Sequence, residues 1–200
     1  MSEEIGRSGQ MKSRIVLVAL VTGLAAMITG AGAADLRERT YAISGSSGIE
    51  LYESIGRNGP KGSIAETRFN LKWLRLFDEE GGDCRLVRFR PQLTITLVLP
   101  KPSGKLPAWL QRKWDPFIAG VIKHEEEHVR MIKAMVAATE ASVAGAKVID
   151  DPNCAKVKKE VSRRIDEAIA GYKAMSREFD RVELSDGGNV HRLILALVND

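Results

Sequence analysis

His124 and His128 stand four residues apart and enclose Glu125, Glu126 and Glu127, in a 200-residue chain that holds only three histidines. On a helix at 100° per residue, Phe117, Val121, His124, His128, Met131 and Met135 share one narrow stripe. Both imidazoles therefore lie on the apolar side, and Glu125 lies on its flank. Glu126 and Glu127 turn outward with Lys123, Arg130 and Lys133. Histidines at i and i+4 can aim two ring nitrogens at one Zn²⁺, and a glutamate beside them can take a proton from an attacking water. This is the H-E-x-x-H pattern of zinc hydrolases. It marks His124 and His128 as ligands and Glu125 as the general base. As plain core residues, two stacked imidazoles would each need a buried polar partner, and leaving one without costs about 1–3 kcal/mol.

A catalytic zinc site keeps three protein ligands. The metzincin continuation is excluded, because Met131 and Ala134 stand where Gly and His belong. Glu140 is too far along the same helix, about 18 Å from His128 by rise. Further carboxylates are Glu160, Glu167, Glu178 and Asp180. The segment after the second long helix can fold back, and it makes Asp186, Glu183 or His191 the expected third ligand.

The elements that must position these residues follow. "MKSRIVLVALVTGLAAMITGAGA" has a basic start, an apolar run and a small-residue Ala31-Gly32-Ala33 ending. It reads as a signal peptide over residues 1–33, with residues 1–10 an extension lacking those features and Met11 a candidate start. The run is short for a membrane span, so no stable span is expected after cleavage. A single domain over 34–200 remains, which places the protein in the periplasm or outside the cell. The net charge of +4 is mild, and no Lys/Arg run alternates with aromatics, which argues against nucleic acid. In an oxidising compartment the two cysteines, Cys84 and Cys154, read as one disulfide.

The first half reads as β-structure. "TYAISGSSGIELYESI" suggests two short stretches across a Gly/Ser turn, and Phe69, Leu71 and Trp73 alternate with polar neighbours. In "LVRFRPQLTITLVLP", Val87, Phe89, Leu93, Ile95, Leu97 and Leu99 share one face. Pro91 argues that this strand lies at a sheet edge. Gln92, Thr94 and Thr96 on its other face would then border a docking edge for an extended peptide. The second half reads as two long helices, opened by Asp115-Pro116 and Asp151-Pro152 and ending near Gly145 and Phe179. The tail "NVHRLILALVND" is short and apolar. The expected fold class is α+β, a small antiparallel sheet packed with two long helices, zincin-like.

Residues 40 to 188 resemble the bacterial secreted zinc-dependent proteases, a family long carried under a domain-of-unknown-function label. The resemblance rests on "TYAISGSSGIELYESIGRNGP", "FNLKWLRLF", a lone Cys before a long strand, "LP" and "W..F" ahead of the helix, "HEEEH", a second lone Cys and "FD". It implies His124 and His128 as ligands, Glu125 as base and a Cys84–Cys154 bridge. The chain departs from the family where a histidine would follow: "FDRVELSDGG" has none. The expected activity is peptide-bond hydrolysis on peptide or protein substrates. Alternatives are an amidase acting on cell-wall peptides and a non-catalytic zinc- or partner-binding protein of the same fold.

Overall fold

The computed structural model describes residues 34–199; the expected signal peptide lies outside the described residues. The chain runs β1 (Asp35–Ile43), α1 (Gly48–Asn58), β2 (Glu66–Glu80), β3 (Asp83–Pro102), α2 (Ala108–Val143), β4 (Lys147–Val148), α3 (Ala155–Leu184) and α4 (Asn189–Val198). This is an α+β fold, a four-stranded sheet packed with helices.

The stretch "TYAISGSSGIELYESI" is a strand followed by a helix, where a hairpin was expected. Ser47 caps α1 by accepting the Glu50 amide, and the Glu50 carboxylate reaches back to the Ser46 amide at 2.6 Å. That reciprocal pair satisfies helix-start donors. Leu51 and Ile55, four apart, are buried, which is a helical and not a strand spacing.

The β2–β3 hairpin is antiparallel, and β1 joins β3 in parallel on the other side, giving the order β1-β3-β2. The expectation of an edge position for "LVRFRPQLTITLVLP" is therefore corrected. Thr94 and Thr96 pair with Asn70 and Arg68 on β2 and with Asp35 and Arg37 on β1. A ladder filled on both sides accepts no further strand, so Thr94 and Thr96 do not form a substrate-docking edge, and Gln92, paired with Lys72 alone, lies just before the doubly paired stretch. Pro91 misled because β1 pairing begins only at Thr94, so among the described residues the side of the proline away from β2 carries no strand. Val87 is the unpaired residue of a bulge, since Leu76 pairs with Arg88 and Phe77 with Leu86; it is exposed and not part of the core face.

The inner face of the sheet buries Leu93, Ile95, Leu97 and Leu99 against α2, which contributes Leu110, Trp114, Phe117, Val121 and Ile132. Leu110 and Trp114 carry α2 back to Ala108, so Asp115 is not its cap. Asp115 accepts from Gln111 on the exposed side, and Pro116 sits within the third turn of an already running helix. A smaller core joins Val157, Val161 and Ile165 of α3 to Val143 and the bonded pair Cys84–Cys154. The disulfide ties the start of β3 to the start of α3 across 70 residues, a closure worth about 4 kcal/mol in the chain-entropy account. Asp151, 1% exposed, accepts the Lys156 and Val157 amides at 2.8 Å each and so starts α3. Among the described residues no helix is long and apolar enough to cross a membrane.

Candidate metal centre

α2 presents His124 and His128 towards α3, which packs along it, and Glu125 towards β2. α3 continues past Phe179 to Leu184, and that extra turn carries Asp180 to the two imidazoles. The three side chains form a group able to hold a metal ion. His128 Nε2 lies 3.2 Å from His124 Nε2 and 2.8 Å from Asp180 Oδ1, and His124 Nε2 lies 3.2 Å from the same oxygen. Donors about 2.0–2.1 Å from a tetrahedral zinc stand about 3.3 Å from one another, so this triangle has nearly the edge lengths of one face of that tetrahedron. Without a cation or a proton at its centre, two ring lone pairs and a carboxylate oxygen would oppose each other at contact distance. The donor set therefore fits a divalent metal.

The outer partners of the histidines also suit that role. Ser176 Oγ is 3.2 Å from His128 Nδ1; by accepting that N–H it leaves the Nε2 lone pair directed at the centre. His124 Nδ1 is buried and without a hydrogen bond, and Glu183 Oε2 stands 3.8 Å away. Phe179 stacks on His124 with ring centroids 4.7 Å apart and meets His128 edge-on at 5.3 Å, clamping both rings.

Burial and charge act against one another here. Burial alone would raise the Asp180 carboxyl, but hydrogen bonds from the two imidazoles outweigh it and hold Asp180 well below the usual carboxylate range. Burial alone would lower His128, but the Asp180 carboxylate reverses that and raises it. Glu125 is 5% exposed, and burial pushes its carboxyl above its ordinary value, against the pull of the Thr67 hydroxyl. Thr67, at the start of β2, donates to Glu125 Oε2 at 2.6 Å. The group opens on a cleft of about 450 Å³ lined by Tyr52, Ser63, Ile64, Thr67, Tyr172 and Val190.

Of the expected third ligands, none joins the group. Glu183 faces the far nitrogen of His124 and accepts from Asn189 at 2.7 Å. Asp186 is exposed and 3.8 Å from His191 Nε2, while His191 Nδ1 accepts the Gly187 amide at 3.1 Å. The sequence carried a signal for Asp180. Ile165, Ala168, Tyr172, Ser176 and Asp180 continue one helical stripe, provided α3 is not ended at Phe179. Ser176 shares that stripe, but Thr67 had no such signal, since its meeting with Glu125 joins β2 to α2 across 58 residues.

The family described as "Bacterial protein of unknown function (DUF922)" matches residues 38–188. The chain belongs to that family. No curated protein and no solved structure matches it. Within this DUF922 chain, the matched span runs through both helices that supply the group and includes His124, His128 and Asp180.

Proposed function

We propose that this protein is an exported zinc-dependent metallopeptidase in which His124, His128 and Asp180 hold the metal and Glu125 is the general base. The observation that carries the reading is Glu125 itself. It is a nearly buried carboxylate of raised pKa, next in sequence to one ligand and anchored by Thr67, at the wall of a cleft that the metal group also lines. A two-histidine, one-carboxylate set also serves non-haem iron. A base poised beside it favours hydrolysis.

Zinc held by this group would supply Lewis acidity and lower the pKa of a water towards about 7. Glu125 takes the proton of the water that attacks the peptide carbonyl carbon. A raised pKa suits it both to accept that proton and to deliver it to the departing amine as the C–N bond breaks. Thr67 holds Oε2, so the other carboxylate oxygen is left to the water. Ser176 and Phe179 keep the His128 and His124 rings aimed. The leader expected at residues 1–33 and the Cys84–Cys154 bond support an exported, oxidising location.

The test is zinc content and turnover of a peptide library in three proteins. Glu125→Gln keeps zinc and loses turnover about 10²–10⁴-fold. His128→Ala loses zinc and turnover together. Glu126→Gln, whose side chain faces solvent, retains both. Full turnover by Glu125→Gln would overturn the proposed mechanism, and full zinc in His128→Ala would overturn the site.

A further inference from the structure

Among the described residues, one face of the sheet has no layer over it. Leu93, Ile95 and Leu97 point to α2, so the alternate side chains point the other way. On that side the register places Arg37 and Arg39 of β1, Arg68 and Lys72 of β2, and Arg88 and Arg90 of β3. Asp35, Glu66, Asp78 and Glu80 are the carboxylates on that side, and they are taken by Arg37, Arg68 and Arg85. Arg39, Lys72, Arg88 and Arg90 have no hydrogen bond or ion pair among the described residues. The helical surfaces differ. Arg130 pairs with Glu127, Arg163 and Arg164 with Glu160, and Arg181 with Glu178. Those helical arginines sit in local bridges, whereas Arg88 and Arg90 stand side by side on the sheet with no acidic partner among the described residues.

Leu74 and Leu76 lie on the same face, 49% and 52% exposed, directly across from Arg90 and Arg88. We propose that this face docks on the anionic headgroup surface of a phospholipid bilayer. Cations free of internal partners match anionic headgroups, and leucines beside them match the headgroup–acyl boundary. The shape also selects a surface. β2 and β3, joined by β1 from Thr94 onward with strands about 4.8 Å apart, form an open face and not a groove that would track a polymer strand. The sheet's aromatic side chains Phe69, Trp73 and Phe89 pack inward against the cores, so the face offers no stacking platform for nucleic acid bases. The proposal does not depend on the metal chemistry, because α2 and the metal group lie on the opposite side of the sheet.

The experiment is partition of the full chain onto vesicles of phosphatidylcholine alone and of phosphatidylcholine with phosphatidylglycerol. The readout is the preference for the anionic vesicles. Residues 1–33 are common to every variant, so their contribution drops out of the comparison. Wild type prefers the anionic vesicles and loses that preference in high salt. Each cation near the surface contributes about fivefold, so Arg88→Gln with Arg90→Gln weakens anionic binding on the order of 20-fold. Arg39→Gln, at the β1 end of the face, with Lys72→Gln, beside Leu74 on β2, weakens it similarly. Leu74→Ser with Leu76→Ser lowers binding to the same vesicles at unchanged charge. Lys159→Gln with Lys173→Gln, an equal charge loss on α3, does much less. Circular dichroism checks that each variant is folded. Equal partition of wild type onto both vesicles, or equal losses from the sheet and α3 pairs, overturns the proposal. Retention on heparin or DNA without vesicle preference overturns it in favour of a soluble polyanion. Concentration-dependent self-association without vesicle preference overturns it in favour of a second copy of the chain.

Discussion

Asp180 shows how a single carboxylate can complete a site that two histidines begin. Its Oδ1 is within 3.2 Å of both Nε2 atoms, whereas the nearby Asp186 reaches only His191. Asp180→Ala is therefore expected to lower zinc affinity by orders of magnitude, and Asp186→Ala to leave it unchanged; competition against a zinc chelator measures both. A smaller effect belongs to Glu183. It is the carboxylate nearest the buried, unpaired His124 Nδ1 and is itself held by Asn189. Outer partners of metal-binding histidines typically contribute about 10–100-fold to affinity, so Glu183→Gln is expected to fall in that range, with Asp180 and both rings intact. An affinity equal to wild type would show that His124 needs no acceptor on its far side.

At the scale of elements, the site depends on where α3 starts and how far it runs. Asp151 sets the start through two amide hydrogen bonds, and the disulfide one residue before Ala155 pins that start to β3. Burial alone would raise the Asp151 carboxyl, but the amides of Lys156 and Val157 outweigh it and hold its pKa below normal. A depressed folded pKa stabilises the protein above the unfolded value of about 3.9, and that stability is lost as pH falls through the folded value. Asp151→Asn is thus expected to reduce stability at pH 7, with the gap to wild type closing below about pH 4. Urea unfolding at pH 7 and at pH 3 reads both ends. A gap that stays constant would mean the side chain acts by packing and not by charge.

At the scale of the molecule, the candidate metal group joins side chains of two helices that lie more than fifty residues apart in sequence. Zinc at a hundredfold excess over its dissociation constant would add about 2.7 kcal/mol, which for a chain of this size raises Tm by roughly 5–10 °C. Chelation is expected to reverse that shift, and Asp180→Ala to abolish it. Protons compete for the same nitrogens. Because Asp180 holds the metal-free His128 above its ordinary pKa, zinc affinity should begin to decline, as pH falls, before the usual histidine value of about 6.5 is reached, and keep falling below it. Titration with zinc at several pH values measures this; an affinity flat down to pH 5 would show that protons and zinc do not share the site.

How much of this could be read from the residues depends on the range of the interaction. His124, Glu125 and His128 lie within five residues on one helix, where the 100° repeat dictates which side chains share a face, so their common orientation was legible. The alternation Leu93, Ile95, Leu97, Leu99 likewise announced a strand with one buried side. The position of that strand was not legible. Pro91 marks a missing donor but does not say whether β1 lies beyond it, and pairing between β1 and β3 is set by contacts over fifty residues apart. The third ligand followed the same rule. Asp180, Glu183 and Asp186 are equivalent as residue types, and only the docking of α3 along α2 decides which oxygen meets the two imidazoles. Local periodicity is a property of the chain's own geometry, whereas the meeting of distant segments follows from burying α2 between the sheet and α3. The sequence alone therefore determined one helix of the site, and the tertiary structure decided what faces it.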